Sequence, residues 1–218
     1  DPVGVGASSF RKQTAEQLLK EVRFDAIRGN ISEIKTLASL CGTQAKNSGN
    51  MAVSDTMDVE KITDKSDHCG KITGIDGSGR GVDADNADTV TEENLAQHIS
   101  NAKMLSKKLQ TIVAITGAID LVTDGSSCYV IRNGNPQMGH VTGAGCQLSG
   151  ILTAFLAANP ENKLQAAAAA VCMMGYAGEL AAEKSGQSGS GTYRVSLMDA
   201  VSCMDGDILE RGARYEIR

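Results

Sequence analysis

The sequence predicts an α/β fold, a sandwich whose strands end in functional loops, and three observations carry that expectation. Helical and strand-like segments alternate along most of the 218 residues. An amphipathic face of Leu95, Ile99, Ala102, Leu105 and Leu109 runs into the apolar stretch Ile112-Val113-Ala114-Ile115, the pattern of a helix followed by a buried strand. Val141-Thr142-Gly143-Ala144-Gly145-Cys146 then stands before an amphipathic run and reads as a glycine loop opening a helix. Ligands in such sheets gather at the carboxyl ends of strands, so the loops that follow strands are where function is expected.

Taken in order, Asp1-Pro2-Val3-Gly4-Val5-Gly6-Ala7 carries no initiator Met and reads as the end of a strand entering a functional loop. A missing N-terminal region is the expectation. Thr14-Ala15-Glu16-Gln17 resembles a capping box, with Ala15, Leu18, Leu19 and Val22 as the stripe of a first helix. Phe24 to Ile27 is a short strand, ending in Arg28-Gly29-Asn30. A second helix, capped by Asn30, carries Ser32, Glu33, Ile34 and Leu37. From 41 to 88 the pattern dissolves into Gly, Ser, Asp, Asn and Thr, including Gly74-Ile75-Asp76-Gly77-Ser78-Gly79, as in a loop-rich insertion.

Periodicity returns at Thr91 with the helix and buried strand already described. Asp124-Gly125 makes a turn, Cys128 to Arg132 a strand, and Asn133-Gly134 a hairpin signal ahead of the glycine loop. Leu148, Ile151, Leu152, Phe155 and Leu156 give the helix after that loop its face. Two more helices follow, Leu164 to about Lys184 and about Tyr193 to Met204, separated by a Gly/Ser-rich stretch from Ser185 to Gly191. The whole of 1–218 reads as one domain.

The formal net charge of -5 leaves no basic stripe for nucleic acid or an anionic membrane. Cys41, Cys69, Cys128, Cys146, Cys172 and Cys203 form no C-x-x-C pair, which gives neither a zinc signature nor a small disulfide framework. Reduced thiols in a cytoplasmic chain are expected. The Ala-rich stretch from Ala166 to Ala182 is interrupted by Gly175, Gly178 and Glu179, so no membrane span is expected. His68, His98 and His140 have no partners at ligand spacing and read as structural or exposed. Met173 and Met174 read as core or subunit-contact residues, and their helix, apolar on several faces, fits burial in an oligomer.

The glycine loop is the strongest functional signal. Glycines let the backbone approach a ligand, and the first amides of a helix have no internal partners, so the loop suits an anion such as a phosphate. A helix start that needs glycine for backbone reasons alone has the same appearance. A dinucleotide site is disfavoured because Leu148 occupies the third position of the G-x-G-x-x-G pattern.

Four ordered motifs together, Asp1-Pro2-Val3-Gly4-Val5-Gly6-Ala7, Arg28-Gly29-Asn30-Ile31-Ser32-Glu33-Ile34, Ala114-Ile115-Thr116-Gly117-Ala118-Ile119-Asp120 and Val141-Thr142-Gly143-Ala144-Gly145-Cys146, resemble hydroxyethylthiazole kinase. The resemblance covers nearly the whole chain except about 39–80. It implies a ribokinase-like three-layer α/β/α sandwich lacking its N-terminal portion, which in the family supplies part of the thiazole pocket. It further implies magnesium- and ATP-dependent phosphorylation of the hydroxyl of 4-methyl-5-(2-hydroxyethyl)thiazole in thiamine salvage, by a homotrimer with sites between subunits.

The resemblance also assigns residues. Gly143, Ala144, Gly145 and Cys146 become the reacting centre, with Gly143 and Cys146 also facing substrate. Cys146 stands where sugar kinases of this superfamily carry an aspartate base; a helix N-terminus favours its thiolate, while a small residue packed beside the substrate is the plainer reading. Arg28, Thr116 and Gly117 bind ATP; a surface arginine and an ordinary strand-to-loop turn are the plainer readings. Asp1 and Glu33 attend magnesium, whose hard oxygen ligands they supply; the Asn30 and Glu33 spacing equally satisfies a capping box. Asp120 and Asp124 read as turn residues. The competing functions are another ribokinase-like enzyme, such as a hydroxymethylpyrimidine kinase or a hydrate dehydratase, and a non-catalytic thiazole or nucleotide-binding protein.

Overall fold

The computed structural model describes residues 1–42 and 89–218. The irregular stretch expected over 41–88 lies, beyond Gly42, outside the described residues, as do His68 and Cys69. In chain order the elements are α1 (Ser9–Glu21), β1 (Ala26–Gly29), α2 (Ile31–Leu40), α3 (Leu95–Leu109), β2 (Ile112–Ile115), β3 (Asp120–Thr123), β4 (Cys128–Ile131), α4 (Ala144–Ala158), α5 (Lys163–Ser185), α6 (Ser190–Ser202), α7 (Gly206–Gly212) and β5 (Tyr215–Ile217).

The strands form one sheet in the order β1-β2-β3-β4-β5. β1 and β2 are parallel, Arg28 beside Ala114, and each later neighbour is antiparallel. That arrangement brings the carboxyl ends of β1, β2 and β4 and the start of β3 to one edge, because Ile115 pairs with Leu121 and Asp120 with Ile131.

Two apolar clusters lie on opposite faces, which makes three layers, α/β/α, as the sequence suggests. Alternation along the strands divides them. Ile112, Ala114, Val122 and Ile131 pack with Leu148 and Leu152 of α4, Val171 and Met174 of α5, and Tyr193 and Leu197 of α6. Ile27, Val113, Ile115, Leu121, Cys128 and Val130 pack with Ile34 and Leu37 of α2 and Leu95, Ala102 and Leu105 of α3. β2 and β3 are buried at every position, hence the continuous apolar run at 112–115.

Several boundaries differ from expectation, each for a visible reason. α1 is capped by Ser8, whose side chain accepts from the Arg11 N–H, whereas Thr14 sits inside the helix and donates to the Phe10 carbonyl. The strand expected at Phe24 to Ile27 runs from Ala26 to Gly29, the four residues that find partners on β2. Asn133-Gly134 is no hairpin. The Asn133 amide donates to Glu179 and to the Gly212 carbonyl and accepts from the Arg214 N–H, so it ties α5 and the approach to β5 to the end of β4. The hairpin lies at Asp124-Gly125, between β3 and β4, where the Asp124 carboxylate accepts the Ser126 and Ser127 N–H groups and Gly125 takes φ 93°.

By length and hydropathy α5 matches a bilayer span, but most of its apolar length is buried against the sheet, α4 and α6. Met174, Ala170 and Ala177 lie in this core, so packing within the chain already accounts for a helix apolar on several faces. His98 is buried in α3 and His140 is exposed.

Candidate functional site

The glycine loop begins as a backbone event. A short 3-10 turn, Pro136–His140, is capped by Asn135, whose side chain accepts the Gln137 N–H. It leads through buried Val141 to Gly143, the N-cap of α4, which adopts φ 91°. That left-handed conformation is what glycine supplies, since a Cβ there would meet nothing within 4 Å and space is not the constraint. Ala144 N–H turns back to the Val141 carbonyl, and the N-cap Gly143 offers no side-chain cap to the helix. The amides of Gly145 and Cys146 occupy the first turn, where helical partners do not exist.

Arg28 comes to this helix start from the sheet. It is the penultimate residue of β1, and its guanidinium lies so close to α4 that a Cβ on Gly145 would stand 2.7 Å from Nη2 and 3.2 Å from Nη1. Nη1 donates to Asp1 Oδ2 at 2.8 Å, in a pair whose side chains are only 13% and 17% exposed. Ser149, one helical turn beyond Gly145, donates to the same Asp1 oxygen at 2.8 Å. Burial disfavours the charged guanidinium, while Glu33, Asp120 and the Cys146 sulfur favour it. Arg28 Nε is buried without a hydrogen-bond partner among the described residues.

Glu33 closes the other side. Asn30 and Glu33 form a complete capping box: Asn30 Oδ1 accepts the Glu33 N–H and Glu33 Oε2 accepts the Asn30 N–H, both at 2.8 Å. Glu33 Oε1 accepts the Gly4 N–H at 3.0 Å, so this buried carboxylate also anchors the loop that carries Asp1.

Thr116 and Gly117 leave the end of β2 at the same sheet edge. Thr116 N–H donates to the Gly29 carbonyl, one residue beyond Arg28, and Gly117 N–H donates to Asp120 Oδ1 at 2.7 Å. Burial pushes the Asp120 carboxyl up to about 7, opposed by the Gly117 hydrogen bond and the charge of Arg28.

Arg28, Asp1, Glu33, Gly145 and Cys146 therefore gather at one place, with Thr116 and Gly117 joined to it through Gly29 and Asp120. Cys146 is exposed and a free thiol. A cleft of about 430 Å³ between β1 and α4 is lined by Asp1, Arg28, Ser149, Leu152 and Leu156; neither Cys146 nor Thr116 lines it. Among the described residues no three His, Cys, Asp or Glu side chains cluster as a metal cage. Asp1 engages Arg28 and Ser149 through Oδ2, whereas both Glu33 oxygens already accept amides. Two members of the site carried no functional reading in the sequence, Asp120 and Ser149. The four-residue β3 disguised the first, and only the helical return from Gly145 could have indicated the second.

The hydroxyethylthiazole kinase family model matches residues 1–69 and 48–207. The chain is 44% identical over 217 residues to hydroxyethylthiazole kinase of Clostridium acetobutylicum, covering 99% of this chain and 67% of that one. Against hydroxyethylthiazole kinase of Clostridium beijerinckii the figures are 34% over 211 residues, 97% and 63%. The solved hydroxyethylthiazole kinase protein from Pyrococcus horikoshii OT3 superposes with a TM-score of 0.71 at 23% identity, covering all of this chain and 64% of the other, a likeness of fold. The chain thus spans about two thirds of the length of these relatives.

Proposed function

This chain belongs to the hydroxyethylthiazole kinase family, and from that membership and the geometry of the glycine loop we propose that it phosphorylates the hydroxyl of 4-methyl-5-(2-hydroxyethyl)thiazole with ATP. The observation that carries the reading is the Arg28 guanidinium laid against Gly145, at the uncapped start of α4. Two helix amides and a fixed cation there meet the demand of phosphoryl transfer, which is mainly for positioned positive charge around the moving group.

In the reaction the γ-phosphoryl passes from ATP to the hydroxyl oxygen, ADP leaves, and the hydroxyl proton is lost. The Gly145 and Cys146 amides would hold the transferred group, and Gly143 would set the turn that aims them. The Arg28 fork would bind the nucleotide phosphates, exchanging Asp1 for them in part. Thr116 and Gly117 would hold the nucleotide from the end of β2. Cys146, in the first turn of α4, would accept the hydroxyl proton as its thiolate; as a thiol it would only pack beside the substrate.

The oxygen donors present suit magnesium, which keeps waters and phosphate oxygens in its shell and needs one or two carboxylates. Asp1 would hold it with its carboxylate, with Glu33, which accepts the Gly4 N–H, behind it as the support of the Asp1 loop. Bound there, magnesium would neutralise phosphate charge. We further propose a cytoplasmic homotrimer with sites between subunits, and residues 1–218 as part of one kinase domain.

The test is ATP-to-ADP turnover in magnesium buffer, with and without hydroxyethylthiazole, beside hydroxymethylpyrimidine as the competing alcohol. Thiazole-dependent turnover is expected. Turnover only with the pyrimidine would transfer the reading to that kinase class, and bound ATP without turnover would favour a binding protein.

A further inference from the structure

We propose that Asp120 is a positioning residue of this phosphoryl-transfer site, its buried carboxylate fixing the Gly117 amide and with it the Thr116-Gly117 loop that holds the nucleotide. The inference rests on the kinase reading above and adds a residue to it.

The geometry is specific. Asp120 opens β3 and is held in register by pairing with Ile131 at the end of β4, so its buried side chain lies at the sheet edge where β1 and β2 also end. Its Oδ1 accepts the Gly117 N–H at 2.7 Å, a short bond. Gly117 itself is exposed and a Cβ there would meet only the Ile119 carbonyl, at 4.0 Å, so although Ile119 packs on the core beneath the sheet, the Gly117 end of the loop is set by hydrogen bonds rather than by packing of its own. On the loop's other side Thr116 N–H donates to the Gly29 carbonyl at 2.9 Å. One turn of chain is thereby pinned at both ends, to β3 through Asp120 and to β1 beside Arg28.

A buried acid costs free energy, and the Gly117 amide and the field of Arg28 offset only part of that cost, since burial still raises the Asp120 carboxyl to about 7. An ordinary turn acid, such as Asp124, needs no such burial: it is solvent-facing and satisfies three local donors.

Asp120→Asn keeps an oxygen acceptor for Gly117, whereas Asp120→Ala and Asp120→Ser do not reach it. Steady-state kinetics on both substrates, ATP binding by calorimetry and amide exchange at Gly117 separate the possibilities. Loss of the bond is expected to raise the KM for ATP about tenfold in the Ala and Ser variants, leave the KM for thiazole within about twofold, and speed exchange at Gly117. Asp120→Asn is expected to restore slow exchange and an ATP KM within about threefold of the wild type. The proposal is overturned if Asn is as impaired as Ala, if Ala leaves ATP use unchanged, or if both KM values rise together. Should Asp120→Ala not fold, Asp120→Ser and the exchange comparison decide the matter. If the wild type lacks thiazole-dependent turnover, the kinase reading fails, yet ATP binding and exchange in the same variants still test the loop.

Discussion

Replacing Gly145 by Ala adds one methyl group to the first turn of α4, and the structure says where it goes. The Cβ would lie 2.7 Å from Arg28 Nη2, 3.2 Å from Nη1 and 3.4 Å from Cζ, closer than carbon tolerates at the first of these. Gly145 lies in the first turn of α4 and the nearest atoms outside its own helix belong to the Arg28 side chain, so the fold should survive, with a gain of up to about 1 kcal/mol in helix propensity. The guanidinium has to give way. Moving it breaks the 2.8 Å bond to Asp1 and takes the fork out of line with the loop amides. One hydrogen bond to a charged group is worth about 1.5–3 kcal/mol, which is about a 10- to 150-fold loss in kcat/KM for ATP. The assay is initial-rate kinetics with ATP varied at saturating thiazole, beside thermal melts. Gly150→Ala, on the same helix with nothing within 4 Å of the added carbon, serves as the control and should leave kinetics unchanged. A Gly145→Ala enzyme with wild-type kcat/KM for ATP would refute the claim that Arg28 acts through its fit against the loop.

Other outcomes follow from neighbouring features. Gly143→Val puts a β-branched residue at φ 91°, a strain of about 1–2 kcal/mol, and is expected to abolish turnover; normal rates would remove the anion-binding role of the loop. Cys146→Asp should retain or improve turnover, since the amides matter more than the thiol, and a dead variant would contradict that order of importance. Asp120 gives a pH signature in stability. Its carboxyl rises from 3.8 to about 7 on folding, so the native state holds the proton longer than the unfolded chain does. The sign is that this group's contribution is best below about pH 4, declines as pH rises towards 7, and is flat above, a span of up to about 4 kcal/mol at 1.36 per pH unit. Urea melts of wild type and Asp120→Asn at pH 5 and pH 8 should therefore diverge in favour of Asn at the higher pH; parallel curves would refute the burial argument.

Much of this architecture was legible because its signals are local. The α2 cap is a side-chain spacing, Asn30 to Glu33; the α3 stripe and the β2 run are periodicities; and the glycine loop announces a helix start through Gly143. The same residues served two readings at Glu33, and the structure shows the capping box directly, with the carboxylate also holding Gly4. What stayed hidden depends on partners far along the chain. β5 is three residues, Tyr215, Glu216 and Ile217, exposed or half-buried, and exists because β4 offers an open side. β3 carries an acid at its first position, which disguised four buried residues as the approach to a turn. Asn133-Gly134 has hairpin chemistry, but Glu179, Gly212 and Arg214 claim the Asn133 side chain. For the site, the sequence picked out Arg28, Glu33 and the loop, while Asp120 became visible only when β2 and β3 were paired.

The parallel pairing of β1 with β2 also bears on the order in which the molecule assembles. Gly29 and Thr116 are joined across 87 residues of chain and Asp1 and Ser149 across 148, whereas β2, β3 and β4 form successive hairpins and α5 and α6 are sequence neighbours. Closing long loops carries more entropy than closing short ones, so we expect the hairpins and the C-terminal helices to form before β1 docks on them. On that order the Arg28 side of the cradle joins the α4 side late in this chain, and it is expected to be lost early when the chain opens locally. Activity should disappear in denaturant before most of the helical signal does.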